Sequence, residues 1–361
     1  MKQCPDCKSK VYPATHSRKR IIIDIELKPS VKEHEISSHW CPKCKEVKEE
    51  VVTDALPGFT IGNNILVYTA ILHYLHGMSL SKILNYLMIN KIKITSGCLV
   101  NGWHKLAQIL KPNYEEIKQE IKYAESVYAD ETSWRQKGKL FWLWGFFSSR
   151  SALYIIRNTR SKKPILEILG KDFSGIIISD FWKPYISITS RLKQWCLAHY
   201  LREFKKVDDY RKYHPPSYLK FRKVVKRLFA DAFKFSKLAT NELEKQKAQT
   251  RFLNRLDKII SIKSKDPITE RLKGRLRLFR NGLFTFITEN VNPTNNYSEQ
   301  MLRFAVILRK IQFHTMSHTG SETLSILFSI FKTMELRELS PYHETISILK
   351  LYSLDKSNLA A

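Results

Sequence analysis

The spacing of apolar positions changes period twice along the chain. Up to about residue 52, two short apolar runs, Arg20-Ile-Ile-Ile-Asp-Ile-Glu-Leu27 and Lys32-Glu-His-Glu-Ile-Ser-Ser-His39, read as strands around Pro29. After Pro57-Gly58 the period turns helical: Ile65, Leu66, Thr69, Leu72, His73 and Leu75 form a stripe that stops at Gly77. Ser79 is a cap candidate for a second short helix to Leu87, and Thr95-Ser96 introduces a third from Cys98 to Leu110. Lys111-Pro-Asn-Tyr114 is expected to close this unit. Three short helices with tight turns predict a helix-turn-helix-like region over 58–114 whose last helix enters a major groove; a plain packing module is the competing reading.

From Tyr123 the pattern becomes that of strands. Residues 126–134, 139–147 and 152–157 are rich in aromatic and β-branched side chains, with turn signals at Lys137-Gly138 and Ser148-Ser149. A helix over 162–169, a strand at 176–178, a short helix near Lys183-Pro184 and a last strand running into a helix over 192–199 follow. That order is the order of the ribonuclease H-like fold, in which the first and fourth strands lie side by side. Residues 202–285 interrupt the alternation with basic helical sequence, including Arg271, Lys273, Arg275, Arg277 and Arg280, while Leu272, Leu276 and Phe279 keep one face apolar. A closing amphipathic helix is expected over 321–334. The fold class is therefore multidomain α/β. A ribbon occupies 1–52, the helical region 58–114, and a ribonuclease H-like mixed five-stranded sheet 122–345, with a helical insertion at about 202–285.

Charge narrows the partner. Lys and Arg number 61 against 34 Asp and Glu, a formal net charge of +27. An excess of this size points to a phosphate backbone held by counterion release; a merely basic or ribosome-associated protein is the alternative. No apolar run reaches the length of a spanning helix and the N-terminus lacks a signal-peptide core, so no membrane and a cytoplasmic, nucleoid-associated location are expected. Four of the six cysteines form Cys4-Pro-Asp-Cys7 and Cys41-Pro-Lys-Cys44. Paired knuckles let four thiolates converge on a structural Zn²⁺, and without a secretory signal disulfides are disfavoured. Cys98 reads as a buried apolar residue.

Three acids carry the candidate chemistry. Asp130 lies inside the first catalytic strand, Asp180 ends the Ile176-Ile177-Ile178 strand, and Glu299 opens a helix in Pro293-Thr-Asn-Asn-Tyr-Ser-Glu-Gln300. Together they can surround two Mg²⁺ ions, or Mn²⁺, roughly 3.5–4 Å apart, a pair that assists in-line displacement at phosphorus. Taken singly, Asp180 reads equally well as a helix cap and Glu299 as the partner of Asn296 in a capping box. Asp130 is harder to dismiss, because a mid-strand carboxylate beside Tyr128 and Trp134 is costly unless paired or metal-bound.

The blocks around these acids carry a resemblance. Asp130-Glu-Thr-Ser-Trp-Arg135, Lys139-Leu-Phe-Trp-Leu-Trp144, Ser179-Asp-Phe-Trp-Lys-Pro-Tyr185, Gln194-Trp-Cys-Leu-Ala-His-Tyr-Leu-Arg202 and Pro293-Thr-Asn-Asn-Tyr-Ser-Glu-Gln-Met-Leu-Arg303 resemble, in order, the motif blocks of insertion sequence 66 family transposases, a branch of the DDE transposases. The chain departs from that pattern at Ser133, Tyr297-Ser298 and Trp182, and lacks the N-terminal coiled-coil stretch of many members. The resemblance implies that Asp130, Asp180 and Glu299 are a metal-binding triad that cleaves the ends of a mobile element and joins the 3′-hydroxyls to target DNA. It also implies double-stranded terminal repeats and target DNA as partners, a homo-oligomer on DNA, and small accessory proteins of the element. Arg271, Arg275, Arg277, Arg309 and Lys310 are the expected phosphate contacts. Cys196 and His199 read first as a packed thiol and a histidine near the acids, with a phosphate or water contact by His199 as the sharper option. The rival class is a zinc-ribbon, helix-turn-helix DNA-binding protein that no longer catalyses.

Overall fold

The Cys41-Pro-Lys-Cys44 knuckle is the turn of a hairpin: β1 (Ser38–Cys41) and β2 (Glu46–Glu49) pair antiparallel across it, Cys41 opposite Glu46. The computed structural model describes residues 7–10, 12, 19–23, 29–50, 52–238 and 241–360, with side chains to 354. The described parts of the strands expected at 20–27 and 32–39 are not formed before Ser38. Residues 20–23 and 31–37 lie outside any strand, 24–28 fall outside the described residues, and pairing begins at Ser38. Burial is the reason, since Ile21, Ile22 and Ile23 are 89%, 72% and 93% exposed and pack against little among the described residues.

The helical stretch starts as expected and then departs. α1 (Asn63–Ala70) passes into a π-helical turn at Ile71–Leu75, followed by α2 (Leu80–Ile89) and α3 (Ser96–Ile109). The Ser79 and Thr95 side chains cap α2 and α3 by accepting the backbone N–H groups of Lys82 and Cys98. Lys111-Pro112 does not close the unit. It opens α4 (Lys111–Lys122), because a proline in the first turn gives up an N–H that has no helical partner anyway. α4 and α3 both pack on the element that closes the sheet. Tyr114 Oη donates to the Tyr154 carbonyl at 3.0 Å, and His104 Nδ1 meets Thr323 Oγ1 at 2.7 Å.

The five-stranded sheet has the expected order of elements: β3 (Ser126–Gln136), β4 (Lys139–Phe147), β5 (Ala152–Arg157), α5 (Lys163–Leu169), β6 (Asp172–Ser179), α6 (Lys183–Ile186), β7 (Thr189–Trp195) and α7 (Leu197–Tyr210). Spatially the strands run β5-β4-β3-β6-β7, so the first and fourth are neighbours. β3 to β5 form an antiparallel meander, and β6 and β7 add parallel to β3. Lys137 and Gly138, both at positive φ (48° and 76°), make the tight β3–β4 turn.

After α7 come α8 (Pro216–Ser236), α9 (Glu242–Ser261) and α10 (Pro267–Leu278), which fill the basic stretch and pack on one another through an aromatic core. Phe204, Phe221, Phe229 and Phe252 are all buried in it. The chain returns through the short α11 (Thr285–Thr288) to α12 (Asn296–Gln312), α13 (His318–Leu336) and α14 (Pro341–Ala360). Both sheet edges are covered. Ser329 and Thr333 of α13 accept the outward N–H groups of Tyr154 and Ala152 on β5, at 2.8 and 3.0 Å. On β7, the Gln194 side-chain carbonyl accepts from Phe286 N at 2.9 Å and Thr285 donates to the Lys193 carbonyl at 2.6 Å. Among the described residues, no helix is long and apolar enough to cross a membrane.

Candidate active site

Strand register brings the two aspartates together. In the β3–β6 pair Tyr128 lies opposite Ile178, so two places further on Asp130 faces Asp180, just past the end of β6. Across β4, Asp130 is opposite Gly145, where a Cβ would run into the Phe147 ring and press on Leu302 of α12. Paired residues share a face, so Asp130 points toward α12, the helix that carries Glu299. The start of α12 is pinned to the same corner. Asn295 Nδ2 donates to the Ala129 carbonyl at 3.0 Å, Asn295 N to Cys196 Sγ at 3.0 Å, and Asn292 N to Tyr128 Oη at 3.1 Å. Cys196 is thus a buried acceptor at the junction of β7, α7 and α12, in keeping with the packed-thiol reading.

The three acids are held differently. Asp130 Oδ1 accepts the Glu131 backbone N–H at 2.9 Å and Asp180 Oδ1 that of Trp182 at 3.0 Å. Burial, then the charges of Glu131, Asp180 and Glu299, push the Asp130 carboxyl up to about 8 against that one favourable hydrogen bond. Glu299 Oε1 bonds Arg202 Nη2 at 2.8 Å, with His199 Nε2 at 3.6 Å. Burial and the Arg202 charge push the His199 imidazole below its ordinary range, although Asp180 and Glu299 oppose them. The capping-box alternative for Glu299 is not realised: the N-cap of α12 is Asn295, without a side-chain cap.

Hard carboxylate oxygens suit Mg²⁺, and two buried polar atoms at this corner, Asn295 Oδ1 and His199 Nδ1, have no hydrogen-bond partner among the described residues. Among the described residues, however, no group of three or more His, Cys, Asp or Glu side chains lies close enough to hold a metal ion as it stands. Cys4 lies outside the described residues. At the second knuckle, Cys44 N donates to Cys41 Sγ at 3.5 Å, and this with a second backbone donor lowers the Cys41 thiol below its ordinary value. Cys7 is exposed, its thiol 3.3 Å from Ser9 Oγ.

The expected DNA contacts are unlike one another. Arg309 is turned inward, Nη1 donating to Ser133 Oγ at 2.6 Å and Thr132 Oγ1 at 3.2 Å, so it ties α12 to β3, while Lys310 is exposed. Arg271 and Arg277 are exposed on α10, Arg277 also reaching the Ile260 carbonyl at 3.1 Å. Arg275 is half-buried over the Phe181 ring, 3.4 Å from Glu203. Lys273 is buried with Glu270 and the Ile262 carbonyl.

One cluster was not foreseen. Glu131, its side chain 1% exposed, pairs with Arg160 at 2.8 Å and accepts from Tyr185 Oη at 3.1 Å. The Arg160 guanidinium lies between two indoles, 4.6 Å from Trp142 and 4.7 Å from Trp182. The available signal was the acid directly after Asp130, which strand alternation sends to the opposite face, where the motif aromatics Trp182 and Tyr185 also lie.

A comparison with curated proteins finds no match. A family model described as "Transposase IS66 family" matches residues 58–323, which run from the helical region into the first turns of α13 and include all three acids. The chain belongs to the IS66 family of transposases.

Proposed function

We propose that this chain is a transposase that cuts the ends of its mobile element and joins the freed 3′-hydroxyls to target DNA by in-line phosphoryl transfer. The observation that carries this reading is the strand register that sets Asp130 beside Asp180 with Glu299 on the helix they face, near enough that burial, Glu131 and these two acids push the Asp130 carboxyl up to about 8. Such a carboxylate calls for a cation. Asp130, Asp180 and Glu299 would hold Mg²⁺ or Mn²⁺, which when bound activates the attacking oxygen and neutralises the leaving one. The chain's own residues prepare the place: Asn295 and Cys196 fix the start of α12 against β3, and the Gly145 position leaves room for Leu302 and the ring of Phe147. The first-beside-fourth strand order supports a ribonuclease H-like catalytic domain.

Two accessory readings go with it. The paired Cys-x-x-Cys spacing supports a structural Zn²⁺ held by Cys41 and Cys44 with Cys4 and Cys7; hydrogen bonding lowers the Cys41 thiol and raises that of Cys44. The exposed cations Arg271, Arg277 and Lys310 are offered as phosphate contacts. α3 as a groove-reading helix would present Ser96, Asn101 and Gln108, polar positions suited to base edges more than to phosphates. The test is incubation of the protein with duplexes cut from the DNA flanking its gene. Mg²⁺-dependent cleavage followed by strand joining supports the proposal; binding without cleavage favours the non-catalytic rival, and cleavage without joining a plain nuclease.

A further inference from the structure

Glu299 differs from the aspartates in what holds it. Neutral backbone amides hold Asp130 and Asp180, but Glu299 Oε1 is taken by the Arg202 guanidinium at 2.8 Å, and the same guanidinium reaches His199 Nε2 at 3.0 Å. Arg202 lies on α7, which leaves the sheet directly beyond β7 and so projects from the edge of the acid corner. We propose that Arg202 is a phosphate-binding residue of the reaction, and that until a DNA phosphate engages it, it keeps Glu299 away from the two aspartates. The proposal rests on the metal-triad reading above.

Structure and chemistry together support the exchange. The fork of an arginine fits a carboxylate and a phosphate equally well, so either anion can occupy it. Both partners are reachable, with 45% of the Arg202 side chain and 37% of that of Glu299 exposed. An ion pair this open is weak and is displaced by a better-placed anion. With Glu299 so held, the three acids do not form a closed metal group among the described residues. Lys205, exposed one turn further along α7, adds positive charge beside Arg202, while its neighbour Lys206 is paired with Glu203 at 3.0 Å. Engagement of a phosphate would then free the third carboxylate. DNA and metal would strengthen each other's binding by the same factor, as linkage requires.

The experiment is Mn²⁺ titration followed by electron paramagnetic resonance, with and without a short random-sequence duplex, on the wild type, Asp180→Asn, Arg202→Gln and Arg202→Lys. Arg202→Gln is expected to bind Mn²⁺ about two- to tenfold more tightly than the wild type without DNA, as loss of a half-exposed competing cation implies. DNA should tighten Mn²⁺ binding to the wild type and leave Arg202→Gln unchanged. Arg202→Lys, with the charge but not the fork, should fall between them, and carries the comparison if Arg202→Gln melts early. Equal or weaker Mn²⁺ binding by a folded Arg202→Gln would overturn the proposal, since Arg202 would then orient Glu299 for the metal instead of withholding it. Full Mn²⁺ affinity in Asp180→Asn would instead defeat the metal reading itself, whatever Arg202 does.

Discussion

Asp130 is where sequence and chemistry are most tightly joined. Its carboxyl is raised from 3.8 to about 8, so its ionised form destabilises the folded chain. Below about pH 4 folded and unfolded states are both protonated and the penalty vanishes; it grows as pH rises and is complete above about 8. Asp130→Asn keeps the acceptor and removes the charge. In chelator it should be more stable than the wild type by on the order of 2–4 kcal/mol near pH 8–9, with the gap closing toward pH 4. Thermal melts across that range check it, and a gap that did not depend on pH would contradict the cause assigned. The places of the three acids in the fold were legible from sequence because each sits at a strand or helix landmark. Their partners were not. Arg202 reaches Glu299 across 97 positions and Arg160 reaches Glu131 across 29, and neither spacing leaves a trace in local periodicity. The inward turn of Arg309 was hidden for a related reason: a cation next to a site can also serve as a strut, and its contacts with Ser133 and Thr132 are invisible in local sequence.

Among the elements, β3, β4 and β5 were read nearly to their ends because β-branched and aromatic runs bounded by Lys137-Gly138 and Ser148-Ser149 leave few alternatives. α4 was missed because Pro112 can start a helix as readily as it can end one. The α13–β5 seam was also hidden. Ser325, Ser329 and Thr333 repeat every four residues on a helix that reads simply as amphipathic, yet two of them satisfy the open edge of the sheet. Ser329→Ala should leave the buried Tyr154 N–H without its acceptor and cost about 1–3 kcal/mol in urea unfolding, while Ser329→Thr keeps the oxygen and loses less. Equal stability of Ser329→Ala and the wild type would mean that the edge is satisfied some other way.

At the scale of the molecule, the charge of +27 is a statement about partners, but it does not say which cations face them. The basic helices divide their charges: Lys273 is buried and Arg275 is engaged with Glu203, whereas Arg271 and Arg277 are exposed. Neutralising Arg271 and Arg277 together should flatten the slope of log affinity against log salt for duplex DNA by about one to two units, and neutralising Arg275 alone by less. An unchanged slope in the double variant would move the DNA path off α10. The same scale explains the departures near the N-terminus. The hairpin over Ser38–Glu49 exposes most of its side chains, so periodicity there had no core to report.

The central claim is that Glu299 acts as a metal-binding carboxylate in DNA cleavage, and Glu299→Gln addresses it most directly. The amide is the same size, sits on the same first turn of α12 and still accepts from Arg202, so the melt should stay close to that of the wild type. Cleavage of the gene-flanking duplex in Mg²⁺, measured beside that melt, should fall by a factor of at least about 100, as expected when a ligand loses the charge that holds a hard cation. Near-normal cleavage by a folded Glu299→Gln would contradict the account.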